Sequence, residues 1–167
     1  WLEVVRSQRR TYPVPIIYLG YFLGALGFGL LFGGNLLDGF CAGICGILVG
    51  LVIRFLDAQD TNQFFRTIAA SFLMALLAYA LGALGVAKNP DAVTIGALMI
   101  LVPGLLFTNA MRDIIYGDTN SGINRIVQVF LIAAALAVGT ATAWSLADRL
   151  WGAPVSAPAV DHSVLAQ

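Results

Sequence analysis

Polar side chains follow a helix-breaking pair inside one apolar run, LVPGLLFTNAMRDIIYGD at residues 101–118. Pro103-Gly104 interrupts the run, because proline lacks a backbone donor and disfavours helix at the residue before it. Asn109 and Asp113 follow, four residues apart and therefore on one helix face. Helices broken within a membrane hold carboxylates with their freed N–H groups and positive dipole ends, and this pattern could do the same. A simple proline kink without a ligand is the alternative.

Three sets of residues are candidates for function. The substrate-binding or pathway candidates are Pro103, Gly104, Thr108, Asn109 and Asp113. Carboxylates within membrane spans often couple ions or protons, and the candidates here are Asp38 and Asp113. A helix-turn or structural motif comprises Gly117, Gly122 and Arg125. The chain has no HExxH, GxSxG or Walker pattern and no metal-ligand set, so we expect no enzyme activity, no metal and no cofactor.

Composition identifies the elements that must position these residues. The chain is 59% hydrophobic and only 11% charged. A soluble domain of this length needs more charge to cover its surface. The net charge is zero, which excludes nucleic-acid binding through a basic surface. We therefore expect the lipid bilayer to be the surroundings of most of the chain.

Charge spacing divides the chain into membrane spans of about 20 residues. We predict an all-α, polytopic membrane protein with five transmembrane helices, the fourth broken near its middle at Pro103-Gly104. The predicted spans are 13–34, 36–56, 63–87, 91–116 and 121–150. They form one transmembrane domain at 13–151. A cytoplasmic juxtamembrane segment is expected at 1–12, and a disordered tail rich in Pro, Ala and Ser at 152–167.

Lys and Arg predict the orientation of the spans. With a cytoplasmic N-terminus, seven arginines fall inside, whereas only Lys88 and Arg149 fall outside. The seven are Arg6, Arg9, Arg10, Arg54, Arg66, Arg112 and Arg125. Five spans then place the C-terminus on the extracytoplasmic side. Glycine and alanine recur three or four residues apart, which indicates close helix packing or, alternatively, a sliding surface.

The segments RRTYPVP and VTIGALMILVPGLLFTNAMRDIIYGDTNSGINR resemble the N-terminal-type membrane half of the threonine/serine exporter family. That family includes the bacterial two-subunit succinate exporter, whose larger subunit the chain is similar to. The resemblance runs from Arg10 to Trp151. Its most specific part is the spaced set Pro103-Gly104, Asn109, Asp113, Gly117, Gly122 and Arg125. Arg112 is not carried over, because not all members have a cation there.

The resemblance implies a half or subunit of a secondary transporter in the bacterial inner membrane. It would export small hydrophilic metabolites, either threonine/serine-type amino acids or a dicarboxylate such as succinate. A second membrane half, as a separate subunit, is the expected partner, and the assembly is expected to be a hetero- or homo-oligomer. A cytoplasmic domain is expected before residue 1. The alternative to transport is a membrane scaffold or assembly subunit that moves no substrate.

Overall fold

The computed structural model describes residues 13–59 and 62–152, and all regular structure within these ranges is helical. Six helices follow in order: α1 Val14–Leu31, α2 Leu36–Asp57, α3 Gln63–Ala83, α4 Pro90–Leu98, α5 Gly104–Ile115 and α6 Thr119–Trp151. The juxtamembrane segment predicted at 1–12 and the tail predicted beyond Gly152 lie outside the described residues. The all-α prediction is confirmed.

Four of the six helices are long and apolar enough to cross a membrane, namely α1, α2, α3 and α6. They correspond to the first, second, third and fifth predicted spans. The predicted fourth span, 91–116, is two helices of 9 and 12 residues, each too short to cross alone. The chain is therefore a polytopic helical membrane protein with an interrupted segment at the predicted position.

Polar residues set the starts of several helices. Side-chain oxygens of Asn62, Asn89 and Asp118 each accept a hydrogen bond from a backbone N–H two or three residues later. Asn35 begins α2 through a capping box, in which the Asp38 carboxylate accepts from the Asn35 N–H. Such caps satisfy N–H groups that have no partner within the helix.

Glycines allow the closest helix crossings. A Cβ on Gly96 of α4 would lie 2.6 Å from both Cα and N of Gly29 in α1, so these two backbones touch. In the same way, a Cβ on Gly46 of α2 would lie 2.6 Å from the Tyr21 carbonyl oxygen. Gly20 of α1, in contrast, faces open space. Tight packing therefore accounts for only some of the glycines that the sequence pattern grouped together.

Helix α4 ends at Leu98, and its C-cap, Met99, lies four residues before Pro103. The Leu98 carbonyl accepts from both Leu101 N–H and Val102 N–H, so the chain leaves α4 through one tightened turn. A tight turn follows, in which Gly104 N–H donates to the Val102 carbonyl at 2.8 Å. Proline explains the end of this break, because it forces Val102 out of helical geometry, and the preceding residues unwind with it.

The break extends along the bundle, from its middle towards one end. Ile100 contacts the Gly46 position, halfway along α2. Pro103 shares a cleft with Ile53 and Gln63, close to the end of α2 and the start of α3. The hydrogen-bonded turns at 99–103 therefore carry the chain from the middle of the bundle towards one end.

Two ends of the bundle can now be defined. The Asp38 end comprises the turns at 32–38 and 84–90. The Arg66 end comprises Asp57, residues 63–67, Pro103 and Gln128. Helix α6 has 33 residues and a length of ~50 Å, and its Gln128 pairs with the first residue of α3. The first turns of α6 therefore extend beyond the Arg66 end, packed on α5 through the contact of Gly122 with Ile114.

Candidate functional site

A cleft of about 360 Å³ lies against the break at the Arg66 end, and we refer to it as the break cleft. It combines the broken segment with the starts of α3 and α6. Its lining residues are Ile53, Gln63, Arg66, Thr67, Ile100, Leu101, Pro103, Leu106, Gln128 and Ile132. A mostly apolar cleft with a few converging polar groups is the usual form of a small-molecule site.

The polar side chains of the break cleft form a connected set. Gln128 Nε2 donates to Gln63 Oε1 at 3.1 Å, joining α6 to α3. Thr67 Oγ1 donates to the Gln63 carbonyl at 2.8 Å. Arg66 forms an ion pair with Asp57, the last residue of α2. The guanidinium is the single cationic group among the described residues that line this cleft.

Backbone groups at the break add further hydrogen-bonding capacity. Among the described residues, no donor pairs with the carbonyl oxygens of Met99, Ile100 and Leu101. The N–H groups of Leu105 and Leu106, in the first turn of α5, likewise have no described acceptor. Unpaired carbonyls suit an ammonium group, and N–H groups at a helix N-terminus suit a carboxylate. The break thus leaves both acceptors and donors of the backbone without partners beside the cleft.

A second cleft, of about 540 Å³, lies farther along α5, and we call it the hairpin cleft. It is lined by Asn109, Arg112, Asp113, Tyr116 and Arg125. Leu106 of the break cleft shares a helix face with Asn109 and Asp113, at spacings of three and seven residues. Gln128 and Arg125 are likewise three residues apart on α6. The two clefts therefore follow one another along the groove between α5 and α6.

Charged groups in the hairpin cleft are partly paired. Asp113 Oδ2 lies 2.8 Å from Arg125 Nη1. That oxygen is shielded from solvent, and among the described residues no donor reaches it with hydrogen-bond geometry, so the contact with Arg125 is ionic. Arg112 lies over the Tyr116 ring, with its guanidinium carbon 5.6 Å from the centroid. The cleft carries two cations and one carboxylate and is therefore net positive.

The remaining sequence candidates lie around these clefts. The Thr108 hydroxyl donates to the Gly104 carbonyl at 3.0 Å, within α5 itself. Gly104 faces open space, whereas Gly122 is buried against α5. Gly117 has a φ of 92°, a left-handed conformation that favours glycine at the turn between the helices. Hydrogen bonds from Ser121, first from its side chain and then from its backbone, lower the pKa of Asp118 in that turn.

Asp38 lies at the opposite end of the bundle and is fully buried. Its Oδ1 accepts from the N–H groups of Lys88 and Asn89, at 2.8 and 3.2 Å, and its Oδ2 accepts from the N–H of Asn35 at 3.0 Å. The carboxylate thereby ties the turn before α4 to the start of α2. Its role in ion or proton coupling stays a prediction, and in this structure the carboxylate holds these two turns together.

Sequence reasoning missed four residues of the break cleft: Gln63, Arg66, Thr67 and Gln128. Arg66 was counted only for orientation, and the two glutamines lie near the ends of predicted spans, where polar residues are common. Their pairing joins positions 65 residues apart, which no pattern in one sequence reveals. Among the described residues, no three His, Cys, Asp or Glu side chains cluster as metal ligands.

Comparisons with known proteins point to one family. Residues 1–147 match the threonine/serine exporter family. The chain is also 24% identical over 138 residues to a Mycobacterium tuberculosis protein named "Probable threonine/serine exporter". That alignment covers 83% of this chain but 26% of the relative, so the chain spans about a quarter of the relative's length. No solved structure matches.

Proposed function

The chain belongs to the threonine/serine exporter family, and we propose that it forms one half of a secondary transporter exporting threonine- or serine-type amino acids. Transport, rather than an enzymatic reaction, is the activity of this family. The observation that carries the substrate assignment is the break cleft. There a polar set of side chains adjoins five unpaired backbone groups of an interrupted helix.

An amino acid fits this cleft better than a dicarboxylate. Its carboxylate can interact with Arg66 or the first N–H groups of α5, and its ammonium with the carbonyls at 99–101. Succinate would bring two negative charges to a cleft with one guanidinium, which is already paired with Asp57. The net positive hairpin cleft could assist a dicarboxylate, so succinate remains the second substrate to test.

The α4–break–α5 segment would supply a fifth membrane crossing. Helix α4 extends ~14 Å, the hydrogen-bonded turns of the break add up to ~10 Å at ~2 Å per residue, and the first turns of α5 supply the rest of the hydrocarbon thickness. The Arg66 end also carries Arg54, whereas Lys88 lies at the Asp38 end. The positive-inside rule then makes the Arg66 end cytoplasmic, in a bacterial inner membrane, with the N-terminus inside and the C-terminus outside.

The exposure of the pathway supports a second membrane half. Gln63, Asn109 and Gln128, which line the two clefts, are all exposed in this chain. Polar groups facing lipid cost several kcal/mol each when unsatisfied, so a partner should cover the groove. An odd number of crossings favours an inverted second half, with the substrate between the two. The resulting assembly would be a heterodimer or a larger oligomer.

Flux measurements test this proposal. This chain and its second half are reconstituted separately and together in vesicles loaded with labelled L-threonine, L-serine or succinate. We expect efflux of the two amino acids only when both halves are present, and slower efflux after replacement of Pro103 and Gly104 by alanine. Efflux of succinate but of neither amino acid would contradict the proposal that amino acids are the substrates. The absence of any efflux, with both halves correctly inserted, would favour a scaffold.

A further inference from the structure

The ion pair between Arg66 and Asp57 stands at the mouth of the break cleft. Arg66 belongs to the first turn of α3 and Asp57 is the last residue of α2, so the pair joins two helices across the Arg66 end. The Arg66 side chain is 25% exposed and the Asp57 side chain 50% exposed. Arg66 lines the cleft, whereas Asp57 does not.

We propose that Arg66 recognises the carboxylate of the transported substrate and that Asp57 is its partner when the cleft is empty. This inference rests on the proposed function, because it assigns a role within the same cleft. A substrate carboxylate entering the cleft would take over the guanidinium and release Asp57. Substrate binding would then break this side-chain contact between the end of α2 and the start of α3.

The relative strengths of the two interactions favour such an exchange. An ion pair with one partner half exposed is weak, because water screens the charges. A carboxylate inside the cleft meets the guanidinium in a less polar environment, lined by Ile100, Leu101 and Ile132. There it can form the bidentate contact for which arginine geometry is suited. The exchange therefore replaces a weak contact by a stronger one.

Among the side chains that line the cleft, Arg66 is the one suited to recognise a carboxylate. Thr67 donates its hydroxyl to the Gln63 carbonyl, and the amide groups of Gln63 and Gln128 bind each other. These side chains are already engaged and uncharged. Arg54 is also close to the end of α2 but does not line the cleft, which makes it a matched control.

Binding measurements on the complete two-half exporter in lipid nanodiscs test the role of Arg66. The probes are L-threonine and its methyl ester, which keeps the ammonium and hydroxyl but carries no carboxylate. We expect the wild type to prefer threonine about tenfold or more, Arg66→Gln to lose that preference, and Arg66→Lys to retain part of it. Arg54→Gln should behave as the wild type.

Asp57→Asn separates competition from a purely structural role. Removing a competing partner should tighten threonine binding about two- to fivefold, the range that corresponds to an exposed ion pair. It should leave binding of the ester unchanged and have no effect in the Arg66→Gln background. Weaker threonine binding by Asp57→Asn, or an undiminished preference for threonine in Arg66→Gln, would overturn the inference. A wild-type exporter that binds neither threonine nor serine would instead contradict the proposed substrate.

Discussion

The two ends of the helix bundle each contain a carboxylate, but the two carboxylates differ in burial and in their partners. At the Asp38 end, Asp38 is fully buried and accepts three backbone hydrogen bonds from two different turns. At the Arg66 end, Asp57 is half exposed and meets a side chain that also lines an open cleft. The first carboxylate fixes a structure, whereas the second is free to exchange its partner.

This difference indicates how a helix bundle can be closed on one side and open on the other. Backbone donors cannot move away from Asp38 without unfolding a turn, so that end is rigid. The Arg66 end is held by long side chains and by backbone that has already left the helix at Met99. In the orientation proposed above, the open end would face the cytoplasm, the side from which an exported substrate loads.

The largest loss of stability should come from Asp38→Ala. The substitution leaves the part-buried N–H groups of Asn35, Lys88 and Asn89 without their acceptor, at a cost of about 1–3 kcal/mol each, less where water can reach them. We expect the free energy of unfolding in detergent to fall by about 2–4 kcal/mol. Asp57→Ala, at the open end, should change it by less than about 1 kcal/mol. Equal losses for the two variants would contradict the proposed difference between the ends.

Gly96→Ala should produce the next largest loss of stability. The new methyl group would lie 2.6 Å from the backbone of Gly29, which cannot rotate away as a side chain can. Overpacking of this kind costs about 1–3 kcal/mol. Gly20→Ala is the matched control, because its methyl group would meet no atom within 4 Å. Thermal unfolding of the two purified variants measures the difference, and an unaffected Gly96→Ala protein would argue against close backbone contact between α1 and α4.

The sequence indicates the interruption but not how the two ends differ. The break at Pro103 follows from the residue type, because proline disfavours helix at the residue before it. Asn35 and Asp38 have the spacing of a capping box, but sequence reasoning took Asp38 only as a candidate for ion or proton coupling. Two features of the open end were not predictable: helix α4 ends well before Pro103, and Gln63 meets Gln128. Both depend on packing between distant segments. Local chemistry therefore indicates where a helix is interrupted, but neither the extent of the break nor which polar side chains meet around it.

Cysteine labelling should distinguish the two ends without a large change in stability. Thr67 and Thr94 form a matched pair, since each hydroxyl donates to the carbonyl four residues earlier at 2.8 Å. Both residues are buried, Thr67 with 7% of its surface exposed and Thr94 with 4%, but Thr67 lines the break cleft whereas Thr94 lines neither cleft. We expect Thr67→Cys to react with a membrane-impermeant maleimide about tenfold faster than Thr94→Cys. The wild type supplies the blank, because its free cysteines, Cys41 and Cys45, are buried and line neither cleft. Similar labelling rates would contradict an open Arg66 end.

The smallest effect is expected from Asn109→Ala in the hairpin cleft. Asn109 is exposed and shares a face of α5 with Leu106 of the break cleft, so a substrate moving along the groove would pass it. Loss of one neutral hydrogen bond with the substrate is worth about 0.5–1 kcal/mol, which corresponds to about a two- to fivefold fall in transport kcat/KM. Asp118→Ala is the control, because Asp118 caps α6 in the turn and does not line either cleft. The two variants are compared by initial efflux rates from vesicles with equal amounts of inserted protein. If both variants reduce efflux equally, the cause is a less stable α5–α6 turn. Asn109 would then not contact the substrate, and the substrate path would not extend beyond the break cleft.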